Sequence, residues 1–314
     1  MEIKHIEGLV AAPFTPMNYD GSINLSLIQA YYRLLKTNQI KGAFICGSTG
    51  EGVSLTNEEK QQITKAWADA TANDPDFKIM LLVGGTCLAD CIALAKYAAE
   101  VGIYAVSFTS PFYFKPADVK ALAACCKLVA DAVPGMPFYY YHIPILTGVA
   151  FSMAALLLEV KDTIPNFAGI KYTHEDFTDY LSCLHYNNGY YDMLWGRDET
   201  MLSALALGAK GAVGSTFNYI APLYQKMIQA FEKGDLIVAR NLQQQSINFI
   251  YLLGKYGGIA TGKAYMKLLG LDCGGFRLPV ENMAADQYEL FKKEVELLDF
   301  ASFKSLLPSM EEAS

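Results

Sequence analysis

The chain has 314 residues, of which 52% are hydrophobic and 18% are charged, and its net charge is −7. Lysine and arginine form no cluster, so binding to nucleic acid or to an anionic membrane surface is not expected. No apolar stretch approaches the roughly 20 residues of a membrane span, and Met1–His5 lacks the features of a signal peptide, so we expect a cytoplasmic protein.

Eight short apolar segments alternate with longer amphipathic segments along most of the chain. The predicted strands are Gly8–Ala12, Gly42–Cys46, Ile79–Val83, Ala105–Phe108, Phe138–Tyr141, Ala168–Lys171, Met193–Trp195 and Gly211–Gly214. The clearest helices between them are Ser22–Asn38, Thr56–Asn73, Leu88–Val101 and Ala117–Ala132. This alternation is typical of a parallel sheet, and eight units in a chain of this length predict a closed (β/α)8 TIM barrel.

Strand signals stop near Phe231, and the rest of the chain is predicted to be helical. The helices expected there are Leu236–Tyr256, Thr261–Leu269 and Ala284–Phe300. We therefore predict a catalytic barrel over residues 1–233 and a C-terminal helical extension, packed on the barrel, over residues 234–314.

The first candidate functional segment is the loop Gly47–Gly52, which follows the second predicted strand. Active sites of such barrels lie on loops of this kind, at the C-terminal ends of the strands. The three glycines allow backbone amides to approach a ligand closely, and Ser48 and Thr49 add hydroxyl donors. The pattern suits a small carboxylate or phosphate, although a turn without a ligand has the same composition.

Three consecutive tyrosines end the fifth predicted strand. Alternation places Tyr139 and Tyr141 on one face of the strand and Tyr140 on the other. A phenol near a reacting oxygen can transfer a proton. Aromatic packing beneath the barrel rim is the alternative for each of them.

A lysine, Lys171, ends the sixth predicted strand, within the apolar run Ala168–Thr173. Burying an unpaired ammonium group is costly, so burial favours the neutral amine and lowers its pKa. A neutral amine can attack a carbonyl and form a Schiff base. The alternative is that the strand ends one residue earlier and the side chain reaches the surface.

Polar side chains also follow the last two predicted strands. Asp198 and Glu199 come after the seventh strand, where carboxylates either accept hydrogen bonds from sugar hydroxyls or stabilise a helix N-terminus. Ser215 and Thr216 come after the eighth strand and supply hydroxyls, and Asn218 follows as a possible N-cap.

Several of these motifs together resemble those of the N-acetylneuraminate lyase/dihydrodipicolinate synthase group of class I aldolases. The matching motifs, in chain order, are Gly47–Glu51, Ser110–Tyr113, Tyr141-x-Ile143-Pro144, Gly169–Lys171 and Gly214–Thr216. The resemblance runs from about Ile6 to the last helices, and its specificity lies in the joint order and spacing of the motifs.

The resemblance implies the roles of five residues and the assembly of the protein. Lys171 is expected to form a Schiff base with pyruvate, Tyr141 to transfer a proton, and Ser48 and Thr49 to bind the substrate carboxylate. Tyr113 resembles the tyrosine that family members insert into a neighbouring subunit's site. A barrel with a C-terminal extension, a homotetramer and no metal or organic cofactor are implied in the same way.

The position of Leu146 distinguishes two branches of this group. Synthase members usually carry an arginine two residues after the proline of the Tyr-x-Ile-Pro motif, whereas leucine is similar to the lyase pattern. A leucine cannot pair with a second substrate carboxylate. The residues that the lyase resemblance assigns to the hydroxylated tail of the substrate are Gly196, Asp198, Glu199, Thr173 and Ser215. Arg197, Phe217 and Ile259 depart from the pattern or occupy variable positions.

The expected activity is therefore reversible cleavage of N-acetylneuraminate, a small-molecule sugar acid, to N-acetylmannosamine and pyruvate. Two alternatives stay open at this point. One is a related aldolase or dehydratase that acts on another 2-keto-3-deoxy sugar acid. The other is a family member that binds a keto acid without catalysis, since one fold hosts many functions.

Overall fold

Eight parallel strands form a closed barrel in the computed structural model, which describes residues 3–308. The strands are β1 (Gly8–Ala11), β2 (Gly42–Ile45), β3 (Lys78–Leu82), β4 (Ala105–Thr109), β5 (Phe138–His142), β6 (Phe167–Tyr172), β7 (Asp192–Trp195) and β8 (Gly211–Gly214). Each strand pairs with the next one along the chain, and β8 pairs with β1 to close the barrel. All eight predicted strands are present with bounds within one residue, so the predicted TIM barrel is confirmed.

Helices follow the strands and then continue beyond the barrel. They are α1 (Ile28–Thr37), α2 (Asn57–Ala70), α3 (Leu88–Glu100), α4 (Val119–Ala130), α5 (Pro144–Thr147), α6 (Met153–Val160), α7 (Phe177–His185), α8 (Met201–Leu207), α9 (Phe217–Glu232), α10 (Leu236–Lys255), α11 (Thr261–Leu269), α12 (Ala285–Leu297) and α13 (Phe300–Phe303). Among the helices of residues 3–308, none has the length and apolarity that a membrane crossing requires.

Four of the seven predicted helices differ from the observed ones by more than one residue at an end. Thr56–Asn73 is observed as Asn57–Ala70 and Ala117–Ala132 as Val119–Ala130, and the other two are the first and the last. The first was predicted from Ser22, but the Ser22 amide and hydroxyl both donate to Asp20 in a turn. Leu25–Leu27 then form a short 3-10 helix, and α1 begins at Ile28. The last was predicted to reach Phe300, but Asp299 adopts a left-handed conformation with φ of 56°, which separates α12 from α13. The capping box of Thr56 and Glu59 is present at the start of α2.

The apolar core has two layers, one inside the barrel and one between the barrel and its helices. Tyr139 and Tyr141 belong to the inner layer, whereas Tyr140 belongs to the outer layer, so the predicted alternation along β5 is confirmed. Side chains at the C-terminal ends of the strands therefore either point into the mouth of the barrel or turn away from it.

A buried carboxylate, Asp192, lies at the opposite end of the barrel. Its Oδ2 accepts hydrogen bonds from the Tyr139 hydroxyl at 2.8 Å and from the Ile6 backbone amide at 3.2 Å. Burial raises the pKa of Asp192 to about 6, and these two hydrogen bonds oppose the shift. The group joins β5, β7 and the segment before β1 at the bottom of the barrel.

The C-terminal extension is tied to the loop after β2 by a buried ion pair. Lys263 Nζ of α11 lies 2.8 Å from Glu51 Oε1, and both side chains are only 3% exposed. The backbone amide of Arg277 donates to the other oxygen of Glu51 at 2.8 Å. The division into residues 1–233 and 234–314 stays a prediction, and its outer ends, residues 1–2 and 309–314, lie outside the described residues.

Candidate active site

A cavity of about 290 Å³ opens at the C-terminal ends of the barrel strands. The predicted site residues that line it are Thr49, Tyr141, Lys171, Thr173, Gly196, Asp198, Glu199 and Ser215. They come from the loops or ends of β2, β5, β6, β7 and β8. Closure of the barrel therefore brings together side chains that are more than 160 residues apart along the chain, as from Thr49 to Ser215.

Lys171 lies within β6 and is 4% exposed, so it is a buried lysine and does not reach the surface. Its Nζ lies 4.0 Å from the centroid of the Phe44 ring and 4.1 Å from that of Tyr141. Burial lowers the pKa of Lys171 to about 7, although the negative charge of Asp198 acts in the opposite direction. A large fraction of these amines is therefore neutral and nucleophilic near neutral pH.

Tyr141 lies beside Lys171, because the two residues are opposite each other in the β5–β6 register. The phenol is 4% exposed, and burial raises its pKa. The hydroxyls of Ser48 and Thr173 lie close to the phenol and act in the opposite direction, since they stabilise a phenolate. The arrangement is suited to passing a proton between the phenol and a neighbouring hydroxyl.

The loop after β2 is held in a defined shape. Glu51 has a left-handed backbone with φ of 57°, and a side chain at Gly52 would place its Cβ 1.8 Å from the carbonyl oxygen of Cys46. Thr49 is 7% exposed and lines the cavity, while Ser48 is half-buried beside Tyr141. The buried Glu51–Lys263 pair anchors the base of this loop.

Asp198 is the most buried carboxylate of the cavity. Its Oδ2 accepts hydrogen bonds from the Thr216 hydroxyl at 2.6 Å and from the Thr216 amide at 2.9 Å. Burial raises the pKa of Asp198 to about 6 against the effect of these bonds. Gly214 leaves the space that the carboxylate occupies, since a Cβ there would lie 2.2 Å from Asp198 Oδ1.

Thr173 and Gly196 form a close pair at the edge of the cavity. A Cβ at position 196 would lie 1.9 Å from Thr173 Oγ1, so only glycine fits beside this hydroxyl. Thr173 Oγ1 is buried and makes no hydrogen bond of ordinary distance and angle within residues 3–308. It lies beside the Tyr141 phenol and lines the cavity, where it can bond to a ligand.

Three predicted site residues do not line the cavity: Ser48, which lies beside Tyr141, and two exposed residues. Tyr113 is 79% exposed in the loop between β4 and α4, and Leu146 is 62% exposed in α5. Their predicted roles depend on a neighbouring subunit or on a bound substrate, and these roles stay predictions.

Some residues that line the cavity were not predicted to do so from the sequence. Arg197 and Thr216 belong to loops that were recognised, but neither was assigned to the site. Ile250 and Leu253 of α10 line the cavity as well. An amphipathic helix shows that one face is buried, but its sequence pattern does not show that the buried face covers an active site.

No group of three or more His, Cys, Asp or Glu side chains in residues 3–308 is arranged to hold a metal ion. The seven cysteines are all unpaired, and only Cys87 is exposed. The expectation that the protein needs no cofactor stays a prediction.

Comparisons with known proteins agree closely with one another. The model of the dihydrodipicolinate synthetase family matches residues 5–298. The N-acetylneuraminate lyases of Pongo abelii and Homo sapiens are 40% and 39% identical to the chain over 309 residues, which is 96% of this chain and 96% of each relative. The solved structure of the Proteus mirabilis N-acetylneuraminate lyase is 35% identical, covers 95% of this chain and 100% of its own, and superposes with a TM-score of 0.91.

Proposed function

The chain belongs to the dihydrodipicolinate synthetase family, and we propose that within this family it is an N-acetylneuraminate lyase. The activity is a reversible retro-aldol cleavage of N-acetylneuraminate to N-acetylmannosamine and pyruvate. The buried amine of Lys171 is the observation that carries the proposal, because its lowered pKa and its place in the cavity suit Schiff-base chemistry. Relatives of this activity match nearly the whole chain, which supports the choice of substrate.

The reaction begins at the C2 ketone of the open-chain sugar acid. The neutral amine of Lys171 attacks this carbon, and loss of water gives an iminium ion that can accept an electron pair. Ser48 and Thr49 hold the C1 carboxylate with hydroxyl and backbone donors. Their position beside Tyr141 and in the cavity wall supports this role.

Tyr141 then takes part in breaking the C3–C4 bond. It helps to remove the proton of the C4 hydroxyl, so that the electron pair of the C3–C4 bond moves into the iminium and leaves an enamine. N-acetylmannosamine departs as the aldehyde. Protonation of the enamine at C3 and hydrolysis of the imine release pyruvate and restore the amine, and no metal or organic cofactor is required.

The polar side of the cavity is suited to the hydroxylated tail of the substrate. Asp198 and Glu199 accept hydrogen bonds from hydroxyl groups, and the Thr173 hydroxyl adds a further partner. Ser215 and the backbone at Gly196 complete this wall. The aliphatic Leu146 stands where synthase members usually carry a carboxylate-binding arginine, which favours an acceptor without a second carboxylate.

We also propose a cytoplasmic homotetramer in which Tyr113 reaches the active site of a neighbouring subunit. Support comes from the exposure of Tyr113 and of the adjacent Phe114, which are 79% and 86% exposed. Large aromatic side chains in such a position are enriched at protein interfaces. Light scattering should give the mass of four chains, and a monomeric mass with full activity would contradict the proposal.

Release of pyruvate from N-acetylneuraminate tests the proposed function directly. The wild-type protein should release pyruvate, and Lys171→Ala should lower the rate by more than about a thousandfold, because the covalent step is lost. Borohydride reduction in the presence of pyruvate should add the mass of the reduced adduct to the peptide that contains Lys171. An adduct on another lysine would contradict the mechanism.

The same assay separates the alternatives. A related aldolase would release pyruvate from another 2-keto-3-deoxy sugar acid in a panel and little from N-acetylneuraminate. A non-catalytic family member would bind pyruvate without a trapped adduct.

A further inference from the structure

Arg197 forms two ion pairs at the rim of the cavity. Its Nη1 lies 2.5 Å from Glu175 Oε1, and its Nη2 lies 2.6 Å from Glu199 Oε1. Glu175 belongs to the loop after β6 and Glu199 to the loop after β7. We call this set of three side chains the arginine bridge, because the planar guanidinium joins two loops of the barrel.

The arginine bridge differs from an ordinary surface ion pair. Arg197 lines the cavity, and its side chain is only 19% exposed. Its backbone is fixed as well, because Trp195 Nε1 donates to the Arg197 carbonyl at 2.7 Å and the Thr200 amide donates to it at 3.2 Å. Exposed ion pairs contribute little, but a guanidinium held on both sides orients the groups that it contacts.

One oxygen of Glu199 is bound by the bridge and the other is available. Arg197 donates to Oε1 of Glu199, whereas Oε2 receives no hydrogen bond within residues 3–308. The contact with Arg197 restrains the Glu199 carboxylate at the cavity wall, where its second oxygen can accept a hydrogen bond from a ligand. Such an acceptor recognises a hydroxyl group.

The charges around Arg197 argue against direct binding of an anion by its guanidinium. Both of its terminal nitrogens are engaged by carboxylates, and Asp198 adds a third carboxylate to the same wall. An anionic ligand would have to displace one of these partners and approach the others. The wall therefore favours a neutral ligand rich in hydroxyl groups.

We propose that Arg197 is a positioning residue for substrate specificity, which holds Glu199 so that the enzyme selects sugar acids with a long polyol tail. The proposal rests on the proposed lyase function. Without the bridge, the side chain of Glu199 is free to rotate, and binding of the distal hydroxyls weakens. A six-carbon 2-keto-3-deoxy sugar acid has no hydroxyls beyond C6, so its binding is unaffected.

Steady-state kinetics of Arg197→Met on two substrates test this role. With N-acetylneuraminate, KM should rise about tenfold, which corresponds to the loss of one charge-assisted hydrogen bond. The kcat should change by less than about twofold, because Lys171 and Tyr141 are untouched. With a six-carbon 2-keto-3-deoxy sugar acid, KM should stay within about twofold of the wild-type value.

Further variants separate positioning from a general structural effect. Glu175→Gln is the matched control, since it removes the negative charge of the outer partner of Arg197 and should give a smaller rise in the same KM. Arg197→Met should cause no further rise in KM in a Glu199→Gln background, because Arg197 acts through Glu199. Arg197→Lys retains the positive charge but not the planar, forked guanidinium, so its KM for N-acetylneuraminate should lie between those of wild type and Arg197→Met. This variant also tests the inference if Arg197→Met folds poorly.

Two results would overturn the inference. One is an equal rise in KM for the long and the short substrate, and the other is a full additional rise in the Glu199→Gln background. Failure of the proposed function has a different result, because the wild-type protein would then release no pyruvate from N-acetylneuraminate. Trapping of pyruvate on Lys171 does not involve the tail and checks that each variant has an intact amine.

Discussion

Two opposing influences set the pKa of Lys171. Burial among Phe44 and Tyr141 lowers the pKa to about 7, and the negative charge of Asp198 raises it. The same carboxylate has a raised pKa of about 6 because it is itself buried. The amine and the carboxylate therefore both change charge close to neutral pH.

The pH dependence of Schiff-base formation follows from this balance. Only the neutral amine attacks a carbonyl, so the rate of cyanoborohydride trapping with pyruvate should rise with pH through about 7 and then level off. Asp198→Asn removes the charge that favours the ammonium form and should move the midpoint to lower pH. Mass spectrometry of the adduct against time gives this rate, and a midpoint that moves upward in Asp198→Asn would contradict the assignment.

At the scale of elements, the extension and the barrel share a buried ion pair. Lys263 of α11 and Glu51 of the loop after β2 are 212 residues apart in sequence, and their side chains are almost fully buried. Lys263 also donates to the carbonyl of Gly275 at 2.6 Å. The pair thus fixes the loop that carries Ser48 and Thr49 to a helix beyond the barrel.

Breaking this pair should destabilise the protein strongly. Lys263→Met leaves the Glu51 carboxylate buried without its cation, which typically costs about 3–5 kcal/mol in the free energy of unfolding. Lys267→Met is the matched control in the same helix, because its pair with Asp272 is exposed, and it should cost less than about 1 kcal/mol. Urea unfolding measures both variants.

A Glu51→Gln/Lys263→Met double variant should recover part of the loss, since the uncompensated charge is gone. Equal stability of the Lys263→Met and Lys267→Met proteins would show that the buried pair does not hold the loop.

Much of the fold and part of the site could be predicted from local sequence. The strands were predicted because short apolar runs alternate with amphipathic ones, and Lys171 was recognised because a lysine is unusual in such a run. The partners of Arg197 and Lys263 could not be predicted in this way. Glu175 comes close to Arg197 only because β6 and β7 are neighbours, and Glu51 meets Lys263 only after the extension folds back.

At the scale of the whole molecule, the two ends of the barrel differ: one carries the cavity and the other a buried carboxylate. The cavity is at the C-terminal ends of the strands, whereas Asp192 closes the other end by accepting hydrogen bonds from Tyr139 and Ile6. The charges that act on Asp192 come from His5 and Glu7 near the start of the chain. The residues that stabilise the barrel and the residues that line the cavity thus lie at opposite ends, as in other barrels of this type.

The pKa of Asp192 predicts how stability changes with pH. Because the folded protein raises this pKa from 3.8 to about 6, the contribution of the protonated group is complete below about pH 4 and is lost as pH rises through 6. Asp192→Asn retains an acceptor oxygen for both hydrogen bonds and cannot ionise. The variant should therefore gain about 2–3 kcal/mol relative to wild type between pH 4 and pH 8.

Thermal or urea unfolding of both proteins across this pH range checks the prediction. A constant difference between them would mean that Asp192 has the same pKa in the folded and unfolded chains.

The helix α10 completes the wall of the cavity with Ile250 and Leu253, although it follows every strand of the barrel in the chain. The two aromatic rings that lie against the amine of Lys171, those of Phe44 and Tyr141, belong to β2 and β5. The surroundings of the amine are therefore built by the barrel, whereas part of the cavity wall comes from a helix outside it. A change in α10 can alter the shape of the cavity and leave the contacts of the amine in place.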